Sequence, residues 1–156
     1  VVLGWPLAKR KALQLPVVAV LLLCFGGGIA NVYSGATHQM REVGAVVDSG
    51  YTTGDEIISG ELYTFFDFNY YNNTGTQTKL WAKDGVNGYG ETSLIFDRAD
   101  EIVVRDLAAV KPVTGTVWMV GKTGLKEYFD AVPPNWQPVG QKYQFGQSAV
   151  QRYLVK

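Results

Sequence analysis

An uninterrupted apolar run at residues 15–30, preceded by the basic cluster 9–11, constrains this chain more than any other feature. A helix needs roughly 20 mostly apolar residues to cross a bilayer core, and the run reaches that length when the residues up to Tyr33 are included. No charge interrupts it, and Lys and Arg lie on one side only, which predicts a cytoplasmic amino end. We therefore expect a basic cytoplasmic segment at 1–12, a transmembrane helix at 13–33 and an extracytoplasmic domain at 34–156.

Two other interpretations of the apolar run compete with a membrane anchor. A cleaved signal peptide needs a small-residue cleavage site, and residues 28–30 or 34–36 supply one. A lipoprotein signal needs a small residue before its cysteine, but Cys24 follows three leucines. The chain also opens on Val1 rather than Met. This favours further sequence upstream, with the run as the last of several transmembrane helices.

The composition beyond the run excludes several classes of protein. Three of the fourteen basic residues lie in the cluster 9–11, so the remainder of the chain is slightly acidic, which argues against nucleic acid as a partner. Cys24 is the only cysteine, so the outer part of the chain can form no disulfide. Its length suits one domain with a hydrophobic core of its own.

Hydrophobic periodicity and turn signals predict alternating helices and strands in that domain. Residues 97–101 place carboxylates before an apolar run that reads as a helix to Val110, although the β-branched residues 102–104 also suit a strand. A glycine-rich loop is expected at 83–90, and a short strand or packed loop at 92–96. The other predicted elements are helices at 37–47, 61–71 and 125–131, strands at 56–60, 78–82 and 116–120, and a hairpin of 138–145 with 149–155.

This order predicts an α/β fold: a three-layer domain with a mixed sheet, parallel inner strands and a C-terminal antiparallel hairpin. In such sheets ligands bind beyond the carboxyl ends of the strands. We therefore expect any site in the loops that follow Ser59, Ala82 and Val120.

Five segments in this order resemble a known family: the apolar helix, GDEII, ELYTFFDFNYY, VWMVG and WQPVGQKYQFGQSAVQRYLV. They are similar to the carboxyl-terminal part of multi-spanning glycosyltransferases that use polyprenyl-phosphate-linked sugars, such as the protein mannosyltransferase and aminoarabinose transferase relatives. The resemblance implies a non-catalytic extracytoplasmic domain and final membrane span, with the catalytic residues upstream and no cofactor. The implied partners are membrane lipid, a polyprenyl-phosphate sugar and a glycan or protein acceptor.

The short motifs in the chain predict no catalytic or metal site. Residues 121–123 lack the glycine spacing of a phosphate loop, so we expect a strand-to-helix turn with a solvated Lys122. His38 has no second ligand at metal-binding spacing. Carboxylates at 97–101 suit a helix amino terminus better than a cation site. Asn72 begins a triplet that meets the N-glycosylation rule.

The aromatic segment 61–71 carries the one functional hypothesis based on the residues themselves. On a helix, one predicted face holds Leu62, Phe65, Phe66 and Asn69. The other face gathers polar and tyrosine side chains that suit a membrane interface or a sugar-binding wall. Core packing competes with contact to a membrane-embedded body or a lipid-linked sugar, and the candidate residues for that contact are Glu61, Tyr63, Asp67, Tyr70 and Tyr71.

A function from a different class stays open beside the glycosyltransferase hypothesis. The chain also suits a single-span anchored domain of the cell envelope that binds a glycan, a peptide or a partner protein. Upstream sequence separates the two hypotheses, because only the enzyme needs further spans with an acidic residue in an outer loop.

Overall fold

A computed structural model describes residues 11–34, 39–83, 99–124 and 126–156. The chain divides into two units, 1–38 and 39–156. In the first unit, helix α1 spans Lys11–Ser34. Its described side chains, those at 16–29, are all exposed. Among the residues that the structure describes, no helix meets the length and hydropathy needed for a membrane crossing.

The second unit alternates helices and strands as the sequence predicts. Its helices are α2 (Gln39–Gly50), α3 (Leu62–Tyr71), α4 (Ala99–Ile102) and α5 (Lys126–Asp130), with a 3-10 turn at Leu107–Ala109. Its strands are β1 (Glu56–Ser59), β2 (Lys79–Trp81), β3 (Val103–Val104), β4 (Thr116–Lys122), β5 (Trp136–Phe145) and β6 (Ser148–Val155).

The described strands form one six-stranded mixed sheet of order β3-β2-β1-β4-β6-β5. β1 pairs in parallel with both β2 and β4, and β2 pairs in parallel with β3. β6 runs antiparallel to both β4 and β5. The predicted mixed sheet, parallel inner strands and terminal hairpin are therefore confirmed.

The central residues of β1 and β4 are apolar because both faces of the sheet are covered there. On one face, Ile57, Trp118 and Val120 pack against α2 and α3. On the other face, Ile58 and Met119 pack with residues of α5 and the 3-10 turn. Adjacent residues of one strand thus point into different cores, as the pleat requires.

The helix predicted from residue 97 to Val110 is wrong over most of its length. α4 ends at Ile102, and Val103 and Val104 pair in parallel with β2. The β-branched pair extends the sheet by one strand, so the alternative strand interpretation is correct at these two residues. The predicted segments at 84–90 and 92–96 lie outside the described residues.

Candidate functional site

The order of the strands places a topological switch point, which we call the crevice, at the carboxyl ends of β1 and β4. From β1 the chain passes first to β2 on one side, and later to β4 on the other side. Such a topological switch point is where open α/β sheets hold ligands, because the two connections diverge there. The loops after Ser59 and Lys122 meet at this point, and α3 begins directly after it.

An ion pair spans this crevice. The Lys122 ammonium lies 2.6 Å from Glu61 Oε1, which also accepts a hydrogen bond of 2.9 Å from the Thr64 hydroxyl. Glu61 is the N-cap residue of α3, where a carboxylate interacts favourably with the helix dipole. Lys122 is therefore paired, and the sequence-based expectation of a merely solvated lysine is wrong. The Lys122 side chain is 40% exposed and the Glu61 side chain 20% exposed, so the pair is partly open to solvent.

The floor of the crevice is filled by the Tyr128 ring. The Gly60 amide donates to the Val120 carbonyl at 2.9 Å, which ties the two strand ends together. A Cβ atom at Gly60 would lie 2.4 Å from the Tyr128 ring, and one at Gly121 would lie 3.0 Å from it. Tyr128 donates to the Ile58 carbonyl at 2.6 Å, and burial raises the pKa of its phenol well above the usual value. Gly60 and Gly121 thus allow the buried Tyr128 ring to pack against the backbone. This ring forms a tightly packed layer beneath the site.

The exposed face of α3 continues from this crevice. Tyr63, Phe66, Asp67 and Tyr70 are exposed and share one side of the helix, since they follow at spacings of three and four residues. We call these four residues the α3 stripe. Tyr63 and Tyr70 are 72% and 83% exposed, and the Lys122 ammonium lies 5.9 Å from the centre of the Tyr63 ring. The cation and the stripe therefore form one continuous surface.

The predicted division of this helix into two faces needs correction. Phe66 was expected to share a face with Leu62 and Phe65, but it is exposed, and Phe68 is fully buried instead. The buried side of α3 consists of Leu62, Thr64, Phe65 and Phe68. Core packing and an exposed aromatic surface therefore coexist on opposite sides of the same helix.

The five predicted contact residues fall into two groups. Glu61, Tyr63, Asp67 and Tyr70 lie at the crevice or on the α3 stripe. Tyr71 is half-buried and packs against the core under α2, where its backbone leaves room only for a glycine at position 44. Its ring meets that of Tyr70 edge-on at 4.9 Å between centroids. Tyr71 thus lies between the core and Tyr70 of the α3 stripe.

Other polar candidates from the sequence are used structurally. Asp55 is buried and accepts from the Trp118 indole at 2.9 Å and the Thr114 hydroxyl at 2.5 Å. The Asn72 amide donates to the Thr76 carbonyl at 2.8 Å, so the nitrogen of the glycosylation triplet holds its own loop. Over the described residues, no three potential ligands gather to hold a metal ion. His38 and Asp97 lie outside the described residues, as does the side chain at position 100.

Sequence reasoning missed Lys122 and Thr64 as members of the site. The available signal for Lys122 was its place at the carboxyl end of the most apolar strand, opposite the loop that carries Glu61. Thr64 gave no signal, because its role depends on the N-cap geometry of α3.

Comparison of the chain with protein-family models, with curated proteins and with solved structures gave no match.

Proposed function

We propose that this chain is the final membrane span and non-catalytic extracytoplasmic domain of an integral-membrane glycosyltransferase that uses a lipid-linked sugar donor. In this proposal the basic segment 1–12 is cytoplasmic, the apolar helix lies in the bilayer, and the domain 34–156 lies outside. The α3 stripe contacts the membrane-embedded catalytic body or the donor that it holds.

The observation that carries the proposal is the α3 stripe itself. Large aromatic side chains seldom stay exposed together unless they meet a partner or a membrane. Tyrosine suits this position because its ring packs on apolar surface while its hydroxyl reaches water. Glu61 and Lys122 at one end of the stripe add hydrogen-bonding groups that suit a sugar or a phosphate.

Helix α1 supports the membrane part of the proposal. Its described side chains include Val17, Leu22, Leu23 and Phe25, and each of these is at least 45% exposed. Apolar surface of this extent is stable only when a bilayer or another protein covers it.

The test uses the full-length gene product in membranes with a polyprenyl-phosphate sugar donor. Tyr63→Ala combined with Tyr70→Ala is expected to lower transfer about tenfold, as expected when anchor residues at the centre of a contact are truncated. Asn69→Ala is the matched control, since Asn69 is exposed on the same helix but carries no aromatic ring. Full activity of the double variant contradicts the proposal, provided that its thermal unfolding matches the wild type.

The single-span envelope module remains the second candidate. The observation that favours it is that residues 39–156 form a compact unit with their own sheet and cores. It predicts that the gene product has no further hydrophobic spans and no transfer activity. The same double variant would then weaken capture of a glycan or a peptide.

A further inference from the structure

A recess lies on the sheet face opposite α2 and α3, beneath the connection from β3 to β4. Its volume is about 430 Å³, within the range of roughly 300 to 1,000 Å³ that is common for small-molecule sites. The helical part of this connection, residues 105–115, is a single 3-10 turn at Leu107–Ala109. Crossovers between parallel strands are usually α-helices, which cover more of a sheet. The short turn therefore leaves room between the connection and the strands.

A charged pair from two strands forms the floor of this recess. Glu56 begins β1 two residues before Ile58, and Lys79 is the register partner of Ile58. Both side chains therefore lie on the face that Ile58 shares with the 3-10 turn. The Lys79 ammonium lies 2.9 Å from the Glu56 carboxylate. The charge of Lys79 is thus matched within the chain.

Two further cations line the recess without a matching carboxylate. Arg105 follows β3 and Lys111 follows the 3-10 turn, and both are exposed. Neither forms an ion pair within the part of the chain that the structure describes. The Asp106 carboxylate is the N-cap of the turn and accepts from the Ala108 amide at 2.9 Å. Three cations and two carboxylates give the lining a formal charge of +1.

Apolar side chains lie beside these cations. Val104, Ala109 and Val110 also line the recess. Val104 and Val110 pack with the core around Ile58, so they are held in place from behind. A ligand gains most here when it covers this apolar surface and meets the cations at the same time.

The charges of the lining select the kind of anion. A dianion such as phosphate would be repelled by Glu56 and Asp106, whereas a monoanion matches the formal charge of +1. A guanidinium presents parallel N–H groups that fit the two oxygens of a carboxylate. The lining therefore favours a monocarboxylate with an apolar body.

We propose that this recess binds a small monocarboxylate of that kind. Its carboxylate accepts from Arg105 and Lys111, and its body packs on Val104, Ala109 and Val110. The proposal goes beyond the glycosyltransferase hypothesis and does not depend on it, because α3 packs on the opposite face of the sheet.

The experiment titrates the isotope-labelled 156-residue chain in micelles of an uncharged detergent. The probes are hydrocinnamate, its neutral amide, acetate and inorganic phosphate. Hydrocinnamate is expected to shift the amide signals of residues 104–111 and the methyl signals of Val104 and Val110 saturably, because its ring lies against them. The neutral amide enters micelles as readily but lacks the charge, so it should give no saturable shift. Acetate lacks the apolar body and should bind about tenfold more weakly.

Substitution of the two cations tests which side chains hold the carboxylate. Arg105→Gln and Lys111→Gln should each lower the affinity for hydrocinnamate about tenfold, since each removes a charged donor. Both side chains are exposed, so the variants should fold as the wild type does. Arg41→Gln is the matched control. It removes an exposed cation from α2, on the other face of the sheet, and should leave the affinity unchanged.

Four results would overturn the proposal: no saturable shift with hydrocinnamate, equal affinity for its amide, tighter binding of phosphate, or unchanged affinity in Arg105→Gln or Lys111→Gln. None of these measurements involves sugar transfer. Failure here therefore leaves the glycosyltransferase hypothesis to its own test.

Discussion

At the carboxyl ends of β1 and β4, Lys122 pairs with Glu61 in partial contact with water, whereas toward the amino ends Asp55 is buried and accepts three hydrogen bonds. The first arrangement contributes little to stability, because solvent screens a partly exposed pair. The second contributes much, because removal of a buried acceptor leaves several donors unpaired. The buried hydrogen bonds at the amino ends of β1 and β4 therefore stabilise the fold, while the carboxyl ends of these strands present a surface for contacts.

Removal of the buried carboxylate should have the largest effect on this contrast. Asp55→Ala is expected to lower the free energy of unfolding by about 3 kcal/mol, since it leaves the Trp118 and Thr114 donors buried without an acceptor. Urea denaturation followed by circular dichroism measures the change. Asp48→Ala is the control, because Asp48 also accepts two hydrogen bonds but at the surface, and should cost under about 1 kcal/mol. Equal losses would contradict the contrast.

Gly60→Ala tests how tightly Tyr128 packs beneath the pair of Glu61 and Lys122. Gly60→Ala is expected to cost about 2 kcal/mol, because the new Cβ would lie 2.4 Å from the fully buried Tyr128 ring. Gly124→Ala is the control, since a Cβ there meets nothing within 4 Å. The midpoint of thermal unfolding should separate the two variants clearly. Similar midpoints would show that Tyr128 can move aside.

Alkaline pH should lower the stability that the buried Tyr128 provides. Burial raises the pKa of Tyr128 well above its ordinary value of 10.0, so above that pH the unfolded chain loses a proton that the folded chain keeps. The tyrosine's stabilising contribution is complete below pH 10 and declines as pH rises above it, by about 1.4 kcal/mol per pH unit. Tyr128→Phe should remove this part of the decline. The lowered pKa of Lys142, caused mainly by desolvation, is common to both proteins and cancels in the comparison. Parallel stability curves from about pH 9 to about pH 12 would contradict the prediction.

Neutralisation of the partly exposed pair of Glu61 and Lys122 should have the smallest effect. A double-mutant cycle of Glu61→Gln and Lys122→Met is expected to give a coupling energy of about 0.5 kcal/mol, which shrinks further in high salt. Urea denaturation of the four proteins measures it. A coupling energy above about 2 kcal/mol would contradict the prediction, because a value of that size is typical of a buried ion pair.

Much of the fold follows from hydrophobic patterns. The continuous apolar run 116–120 predicted the central strand, because a strand covered on both faces has no polar side. The hydrophobic pattern favoured a helix at Val103 and Val104, which was wrong. Their pairing with β2 outweighs the local helix signals. The faces of α3 were misassigned for a similar reason, since a helix aromatic all round does not reveal which side is buried.

The candidate site was only partly predictable. The rule for strand ends pointed to the loop after Ser59, and Glu61 and Tyr63 lie there. The partner Lys122 and the role of Thr64 depend on distances across the sheet, which spacing along the chain cannot supply.

A β-bulge in β5, where its pairing with β6 shifts register between Val139 and Tyr143, has a consequence for the behaviour of the chain among its own copies. β5 is an edge strand of ten residues, and a flat edge of that length would template the addition of strands from neighbouring molecules. Pro138 lacks an amide hydrogen and the register shift interrupts the ladder, so no long regular row of donors and acceptors is presented. The opposite edge among the described strands, β3, is only two residues long. Both borders of the sheet thus discourage fibril-like self-association.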